Sequence, residues 1–417
     1  MSSAHSLKKK SLLLVRTGRT GTETASSVLA AVRRTGRLAW TRRVETCRRG
    51  RLSSGWTDCS ARRVADTPGV FRPGGDLPGM SETMRAAVVD EAGAEFEVVE
   101  RAVPEPASGE VRVAVEACGI CHSDVFVTEG GYPGVSYPRI PGHEVVGYVD
   151  SVGGSVENWS AGDYVGAGWH GGHCFTCEPC RRGEFLNCER AEITGLTFDG
   201  GYAEFTTVPA EALAAVPEDL AAADAAPLLC AGVTTYNALR NADLQPGDLV
   251  AVQGVGGLGH LGIQYARAAG YETVAVSRSP DKEPLASELG ADHFVNAADE
   301  DPAERLQALG GADGVLATAP SSDAIASVVE GVGIGGSVIV VGVPGEDVPV
   351  NAQHLIGTAG SVEGWGSGDA RDSQDTLEFS SLRGITPKIE TYPLEEVETA
   401  YGRMMENEAR FRAVLKP

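Results

Sequence analysis

The chain has 417 residues, 42% of them hydrophobic, and a formal net charge of −22, so it can build about two or three domains around a sizeable core. No uninterrupted apolar run is long enough to span a membrane. A body this acidic repels polyanions, which argues against nucleic acid or an anionic membrane surface as partner.

The charge is unevenly spread. Up to Thr83 there are 16 Lys and Arg against 6 Asp and Glu; from Met84 onward there are 19 against 51. Concentrated salt relieves self-repulsion of this kind, so the composition sets the expectation of a halophilic cytoplasm rather than an acidic mesophilic enzyme. Residues 1–83 are rich in Arg, Ser, Thr and Gly, with Trp40, Trp56, Cys47 and Cys59 placed without helical or strand period. A transit peptide or a basic nucleic-acid arm shares this composition. The expectation is instead a disordered, non-native or mis-assigned extension upstream of a protein whose natural start is Met84 or Met80.

Met84 to Val89 reads as a strand. Short Val-rich runs follow to about Pro217, among them Val111 to Val115, Val145 to Val149 and Tyr202 to Val208, separated by Gly and Pro. This pattern predicts a β-rich, barrel-like domain with functional loops. Cys118-Gly119-Ile120-Cys121 runs into His122, Ser123 and Asp124, and Gly142-His143-Glu144 follows a proline turn. Read singly, these residues stay open between a redox pair, a hydrogen-bonded histidine and something more.

Cys174, Cys177, Cys180 and Cys188 follow the spacing C-x2-C-x2-C-x7-C. Four thiolates this close can close a tetrahedron around one Zn²⁺, and a closed all-thiolate shell is expected to be structural because it leaves no open position. A disulfide framework suits a short secreted chain, and iron–sulfur clusters use other spacings. The charged residues between the cysteines resist burial as plain core.

After Leu220 the pattern changes. An Ala-rich helical stretch runs to about Ala242 and contains Cys230, which alone reads as a buried helical cysteine. Leu249 to Gln253 reads as a strand, Gly254-Val255-Gly256-Gly257-Leu258-Gly259 as a G-x-G-x-x-G turn, Leu258 to Ala269 as a helix and Thr273 to Val276 as a second strand. Further strands fall at Gly314 to Thr318 and Ser337 to Val341, and there is no internal repeat. This order predicts a parallel, doubly wound sheet. The glycines allow the tight turn and close backbone approach that a pyrophosphate needs at a helix N-terminus. Where an acid would hold the ribose 2′-OH of NAD, the second strand ends Ser277-Arg278-Ser279, with Lys282 after it. A hydroxyl and two cations suit a 2′-phosphate, so NADP(H) is expected over NAD.

Taken together, the GICHSD, PGHE, DGGYAE, CAGVTTY and GVGGLGH runs and the cysteine quartet resemble the zinc-dependent alcohol dehydrogenases of the medium-chain dehydrogenase/reductase family, over essentially Met84 to Pro417. The resemblance implies an α/β chain with a β-rich GroES-like catalytic domain at 84–231, a Rossmann cofactor domain at 232–367 and a C-terminal segment, 368–417, that returns to the catalytic domain. It implies that Cys121, His143 and Cys230 bind a catalytic zinc with one position left for water or alcohol, and that Cys118 is no ligand. Glu144 matches the acid behind the metal, and Asp124 the residue that orients the histidine. Ser123 falls where the family's relay hydroxyl takes the alcohol proton. Phe126 replaces the histidine that continues this relay in many relatives.

The same resemblance implies that His122 faces the pyrophosphate, that Arg412 reaches it, and that Thr234, Val341 and Val343 contact the nicotinamide end. Trp169 and His170 would line the substrate cleft, Trp169 narrowing it toward primary alcohols or aromatic aldehydes. The implied enzyme carries two zinc ions per subunit. It moves a hydride between a primary or secondary alcohol, or its carbonyl counterpart, and NADP or NAD. A cytoplasmic homodimer or homotetramer is expected. Two other readings remain: a zinc-free quinone or enoyl reductase of the same fold, and a non-catalytic dinucleotide-binding protein that keeps its cysteine lobe for stability.

Overall fold

The strand expected from Met84 begins at Thr83 in a computed structural model that describes residues 83–417; the extension expected before it falls outside the described residues. Thr83–Val88 pairs antiparallel with Glu97–Ala102. A larger, seven-stranded sheet runs in the order Ile389–Pro393, Arg412–Lys416, Glu110–Ile120, Val145–Val152, Tyr164–Ala167 and Leu213–Ala215, with Phe205–Pro209 also pairing with Glu110–Ile120. Alternate residues Val111, Val113 and Val115 enter one apolar core, as the period of two requires.

Two sequence expectations change here. The Val111 to Val115 run extends to Ile120, so the strand itself carries Cys118 and delivers Cys121 at its end. The run expected from Tyr202 starts only at Phe205. Tyr202 lies before it, its amide donating to the Pro141 carbonyl (3.0 Å) and its carbonyl accepting from the Ala87 amide (2.8 Å).

The second sheet is wholly parallel, in the order His293–Asn296, Glu272–Ser277, Leu249–Gln253, Ala312–Ala317, Val332–Val340, Ser361–Gly364. Leu249–Gln253 is buried at every position, as suits a strand covered on both faces. The strand order reverses between Leu249–Gln253 and Ala312–Ala317, and in such sheets ligands bind outside the carboxyl ends of the strands at that point.

The Ala-rich stretch is not one helix. It divides into Ala222–Ala225, a 3-10 turn at Ala226–Leu229 and the helix Ala231–Asn241. Pro227, which lacks an amide proton, sits in the 3-10 turn. The break leaves Cys230 at the head of the last helix, where its thiol is available to a site. Further on, the helix Ala370–Arg383 opens on an Asp369 cap and closes on Gly384. Arg412–Lys416 pairs antiparallel with the end of Glu110–Ile120, Ala413 opposite Ile120 and Leu415 opposite Cys118. Arg412 thereby lies beside the loop that starts at Cys121.

Candidate active site

The end of strand Glu110–Ile120, the segment before strand Val145–Val152 and the head of helix Ala231–Asn241 bring Cys121, His143, Glu144 and Cys230 together, with ligating atoms all within 4.8 Å of one another. Cys121 Sγ and Cys230 Sγ are 3.6 Å apart. Two thiolates each ~2.3 Å from a tetrahedral Zn²⁺ would sit roughly 3.8 Å apart, so the spacing fits one ion. His143 is buried, its Nδ1 is 3.2 Å from Asp124 Oδ1, and its Nε2 is buried without a hydrogen-bond partner. That orphaned nitrogen and the thiol pair form a donor set suited to zinc. The Cys230 hydrogen bond holds the Cys121 thiol well below its ordinary value, with His143 and Arg412 adding to the effect against burial.

Glu144 is fully buried behind this set and is paired with Arg412. Burial pushes its carboxyl up to about 7 against the pull of the guanidinium. A Cβ on Gly119 would collide with the Glu144 carboxylate, so the bare strand at that position makes room for it. Cys118 stays out of the cluster. Its sulfur is fully buried against Gly142 and Gly201, and burial raises its thiol well above the ordinary value.

One wall of the site is aromatic. The Trp169 ring stands edge-on to the His143 ring, 5.0 Å between centroids at 89°. Phe126 meets Trp169 at 6.3 Å and Tyr132 at 6.1 Å. Phe126 therefore adds apolar surface beside the Cys121, His143 and Cys230 cluster. Ser123 lies in the short turn His122–Asp124, between Cys121 and Asp124. His170, next to Trp169 in the chain, pairs instead with His173 at 3.1 Å, and burial lowers it to about 4.

The quartet also converges. Cys174, Cys177, Cys180 and Cys188 place their sulfurs within 4.8 Å of one another, with Cys174–Cys180 at 4.0 Å and Cys177–Cys188 at 3.8 Å. Backbone amides donate to these sulfurs: Cys177 to Cys174, and both Cys174 and Arg190 to Cys188, each at 3.3 Å. Such donors favour thiolates. The Thr176 hydroxyl and nearby amides pull the Cys174 thiol down to about 4.

At the carboxyl ends of the parallel strands, each glycine of the loop meets a different demand. Gly254 has φ +95° and lies against Thr318, so a side chain there is strained and crowded. Gly256 faces open space, the approach that a pyrophosphate requires. A Cβ on Gly259 would collide with the Gly254 carbonyl, so the helix can start this close to the strand only without one. Leu258 precedes the helix Gly259–Ala269, and a Cβ on Gly257 would lie 3.3 Å from Arg412 Nη1. His122 and Arg278 are exposed, Thr234 is buried one turn after Cys230, and Val341 is half-buried while Val343 is 79% exposed. Ser277 is buried, and its hydroxyl accepts from the Ser279 amide at 3.2 Å. Lys282 turns back to the loop and donates to the Val255 carbonyl at 2.8 Å.

Two residues of this region carry no role in the sequence reading. His260 is fully buried beneath the glycine loop, with Nδ1 2.9 Å from the Gly256 carbonyl and Nε2 accepting from the Lys388 amide at 3.2 Å. Burial lowers it to about 4, so it is a neutral ring using both nitrogens. Tyr202 donates its hydroxyl to Asp124 Oδ2 at 2.7 Å. Both residues lie in motifs visible in the sequence; their partners, far along the chain, do not.

Comparisons with known proteins agree with this geometry. Residues 107–218 match the alcohol dehydrogenase GroES-like domain, and residues 257–381 match the zinc-binding dehydrogenase domain. The chain is 42% identical over 333 residues to the alcohol dehydrogenase patD of Penicillium expansum, covering 80% of this chain and 97% of that one. It is 39% identical over 335 residues to an alcohol dehydrogenase of Geobacillus stearothermophilus, covering 80% and 99%. Among solved structures, a cinnamyl alcohol dehydrogenase of Sorghum bicolor superposes with a TM-score of 0.73 at 33% identity, covering 80% and 97%.

Proposed function

The chain belongs to the zinc-type alcohol dehydrogenases of the medium-chain family, and from that membership we propose how its site divides the work. It is an alcohol–aldehyde oxidoreductase that uses zinc and a nicotinamide cofactor. The observation that carries the residue assignment is the convergence of buried Cys121, half-buried Cys230 and the orphaned Nε2 of His143 in one cluster. These three hold the catalytic zinc. A bound zinc supplies Lewis acidity, lowering the pKa of an alcohol or polarising a carbonyl oxygen.

The remaining steps belong to the protein. Ser123 Oγ would take the alcohol proton while passing its own hydroxyl proton on, to a bound cofactor's ribose or to solvent, because Phe126 stands where a histidine would continue the relay. Asp124 holds the proton on Nδ1 of His143 and leaves Nε2 as the donor to the metal. Trp169 and Phe126 close one side of the cleft and exclude water from it. This aromatic wall supports an unbranched or aromatic primary alcohol or aldehyde as substrate; secondary alcohols are the bulkier alternative.

The glycine loop would hold the pyrophosphate of a bound cofactor, with His122 and Arg412 contributing positive charge or donors. Thr234, Val341 and Val343 would contact the nicotinamide end of a bound cofactor. Ser277, Arg278 and Lys282 receive a 2′-phosphate, which supports NADP(H) over NAD; Lys282 must give up the Val255 carbonyl to do so. The quartet binds a second, structural zinc. In this reading residues 84–231 and 368–417 form the catalytic part of a cytoplasmic homodimer or homotetramer, and 232–367 the cofactor part. Among the described residues, no helix is long and apolar enough to cross a membrane.

A coupled turnover screen with NADP(H) and NAD(H), against primary, secondary and aromatic alcohols and aldehydes in concentrated salt, tests this reading together with a zinc count. Two zinc ions per subunit and a higher kcat/KM with NADP are expected. One zinc per subunit without turnover would replace it with the non-catalytic binder, and none with the zinc-free reductase.

A further inference from the structure

We propose that Tyr202 is a positioning residue of the metal site, acting on His143 through Asp124. The inference rests on the reading of Cys121, His143 and Cys230 as zinc ligands. Asp124 is 2% exposed, and its two oxygens are shared among three groups. Oδ1 faces His143 Nδ1 at 3.2 Å, while Oδ2 accepts from the Cys121 amide at 2.8 Å and from the Tyr202 hydroxyl at 2.7 Å. One carboxylate thus ties together the backbone of one thiolate ligand, the ring of the imidazole ligand and the phenol of Tyr202.

The phenol is the third anchor of that carboxylate, and it is fixed from several sides. Tyr202 is fully buried. Its backbone bridges Pro141 and Ala87, and its ring lies against Gly142, where a Cβ would collide with it. Phe96 covers it from another side, with ring centroids 6.0 Å apart. Gly142 directly precedes His143, so the ring also packs against the turn that presents the ligand. The ring is thereby held in place, with its hydroxyl donating to Asp124 Oδ2.

The chemical effect follows from the hydrogen-bond count. A buried carboxylate with three donors has its rotation fixed, and Oδ1 is left free to hold the Nδ1 proton of His143. Without the phenol, Oδ2 keeps only the Cys121 amide, and the carboxylate can turn away from the ring. His143 then loses the partner that fixes its tautomer, and Nε2 becomes a weaker and less directed donor. Outer partners of this kind change metal affinity by ~10–100-fold, and one more step removed from the metal the lower end applies.

The test is Tyr202→Phe, which keeps the ring and removes the hydroxyl. Zinc loss to a chromogenic chelator is followed in the full chain, and Cys121→Ser, which keeps only the quartet intact, identifies the quartet's phase. The expected result is ~10-fold faster loss in the catalytic phase and an unchanged quartet phase. Cobalt substituted into the catalytic cluster should show an altered visible spectrum. A double-variant cycle with Asp124→Asn reads the route: Tyr202→Phe should add no further acceleration once Asp124→Asn is already in place. Equal zinc loss and an identical cobalt spectrum in Tyr202→Phe, or full additivity in the cycle, would overturn the proposal. Wild-type protein that holds only one zinc would instead overturn the metal-site reading beneath it.

Discussion

Arg412 and Glu144 form an ion pair sealed from solvent, with side chains 5% and 0% exposed, across 268 residues of sequence. The pair sits between the metal cluster and the glycine loop, since Arg412 also lies against Gly257. Removing Arg412 takes away the pull that holds the Glu144 carboxyl down, so the buried carboxylate either takes up a proton or, well above pH 7, stands without a cation. Arg412→Leu is expected to lower stability by about 3–5 kcal/mol in chemical denaturation well above pH 7, and by less at lower pH, where Glu144 is protonated. The double variant Arg412→Leu/Glu144→Gln should recover most of that loss, because no buried charge remains.

The glycine loop separates folding from binding. Gly259→Ala forces a methyl into the Gly254 carbonyl and should cost about 1–3 kcal/mol or more, read as a lower melting temperature. Gly256→Ala meets no protein atom and should melt like wild type. Its cofactor affinity, followed by fluorescence titration, should fall by ~10-fold or more because the methyl stands where the pyrophosphate approaches.

His260 gives stability a dependence on acidity. The folded ring stays neutral down to about 4, while the unfolded chain takes up its proton near 6.5. The contribution is therefore complete above pH 6.5 and is lost progressively as pH falls toward 4, by ~3 kcal/mol at most. His260→Gln cannot titrate. Its melting temperature should fall less steeply than that of wild type across this window, and parallel curves would remove the ring as the cause.

The two cysteine clusters should respond differently to loss of a sulfur. Cys121→Ser is expected to abolish turnover and release one zinc per subunit with little change in melting temperature. Cys180→Ser opens the closed shell of the quartet and should lower the melting temperature before it lowers kcat. Elemental analysis beside thermal melts checks both outcomes.

The acidic body predicts a response to salt. From Met84 onward there are 51 acidic and 19 basic residues, and molar KCl screens their repulsion to within ~3 Å. The melting temperature should rise between dilute buffer and molar KCl. Equal values would remove the halophilic reading.

Much of the site is legible in the chain because its signals are local. The quartet spans Cys174 to Cys188, and the glycine loop is six consecutive residues between a strand and a helix; backbone geometry alone limits what such spacings can do. Relationships set by the packing of distant strands are not written this way. Nothing near Glu144 announces Arg412, and nothing near Asp124 announces Tyr202. Lys282 shows the opposite difficulty. Its position near a strand tip indicates a phosphate ligand, yet a flexible side chain also reaches the Val255 carbonyl, and periodicity does not choose between them. The break at Cys230 could be inferred from Pro227, since an amide-free residue interrupts an otherwise helical Ala-rich run.

The strand Arg412–Lys416 gives the protein an order of assembly. During synthesis the ribosome releases both cysteine clusters, His143 and the whole glycine loop well before it reaches Arg412. Until then, folding Glu144 into its place would bury a carboxylate with no cation beside it. The Glu144 carboxyl meets its cation only once this late strand has paired beside Cys118 to Ile120. A chain stalled short of Arg412 thus has Cys121, His143, Glu144 and Cys230 and still lacks the guanidinium that pairs with Glu144.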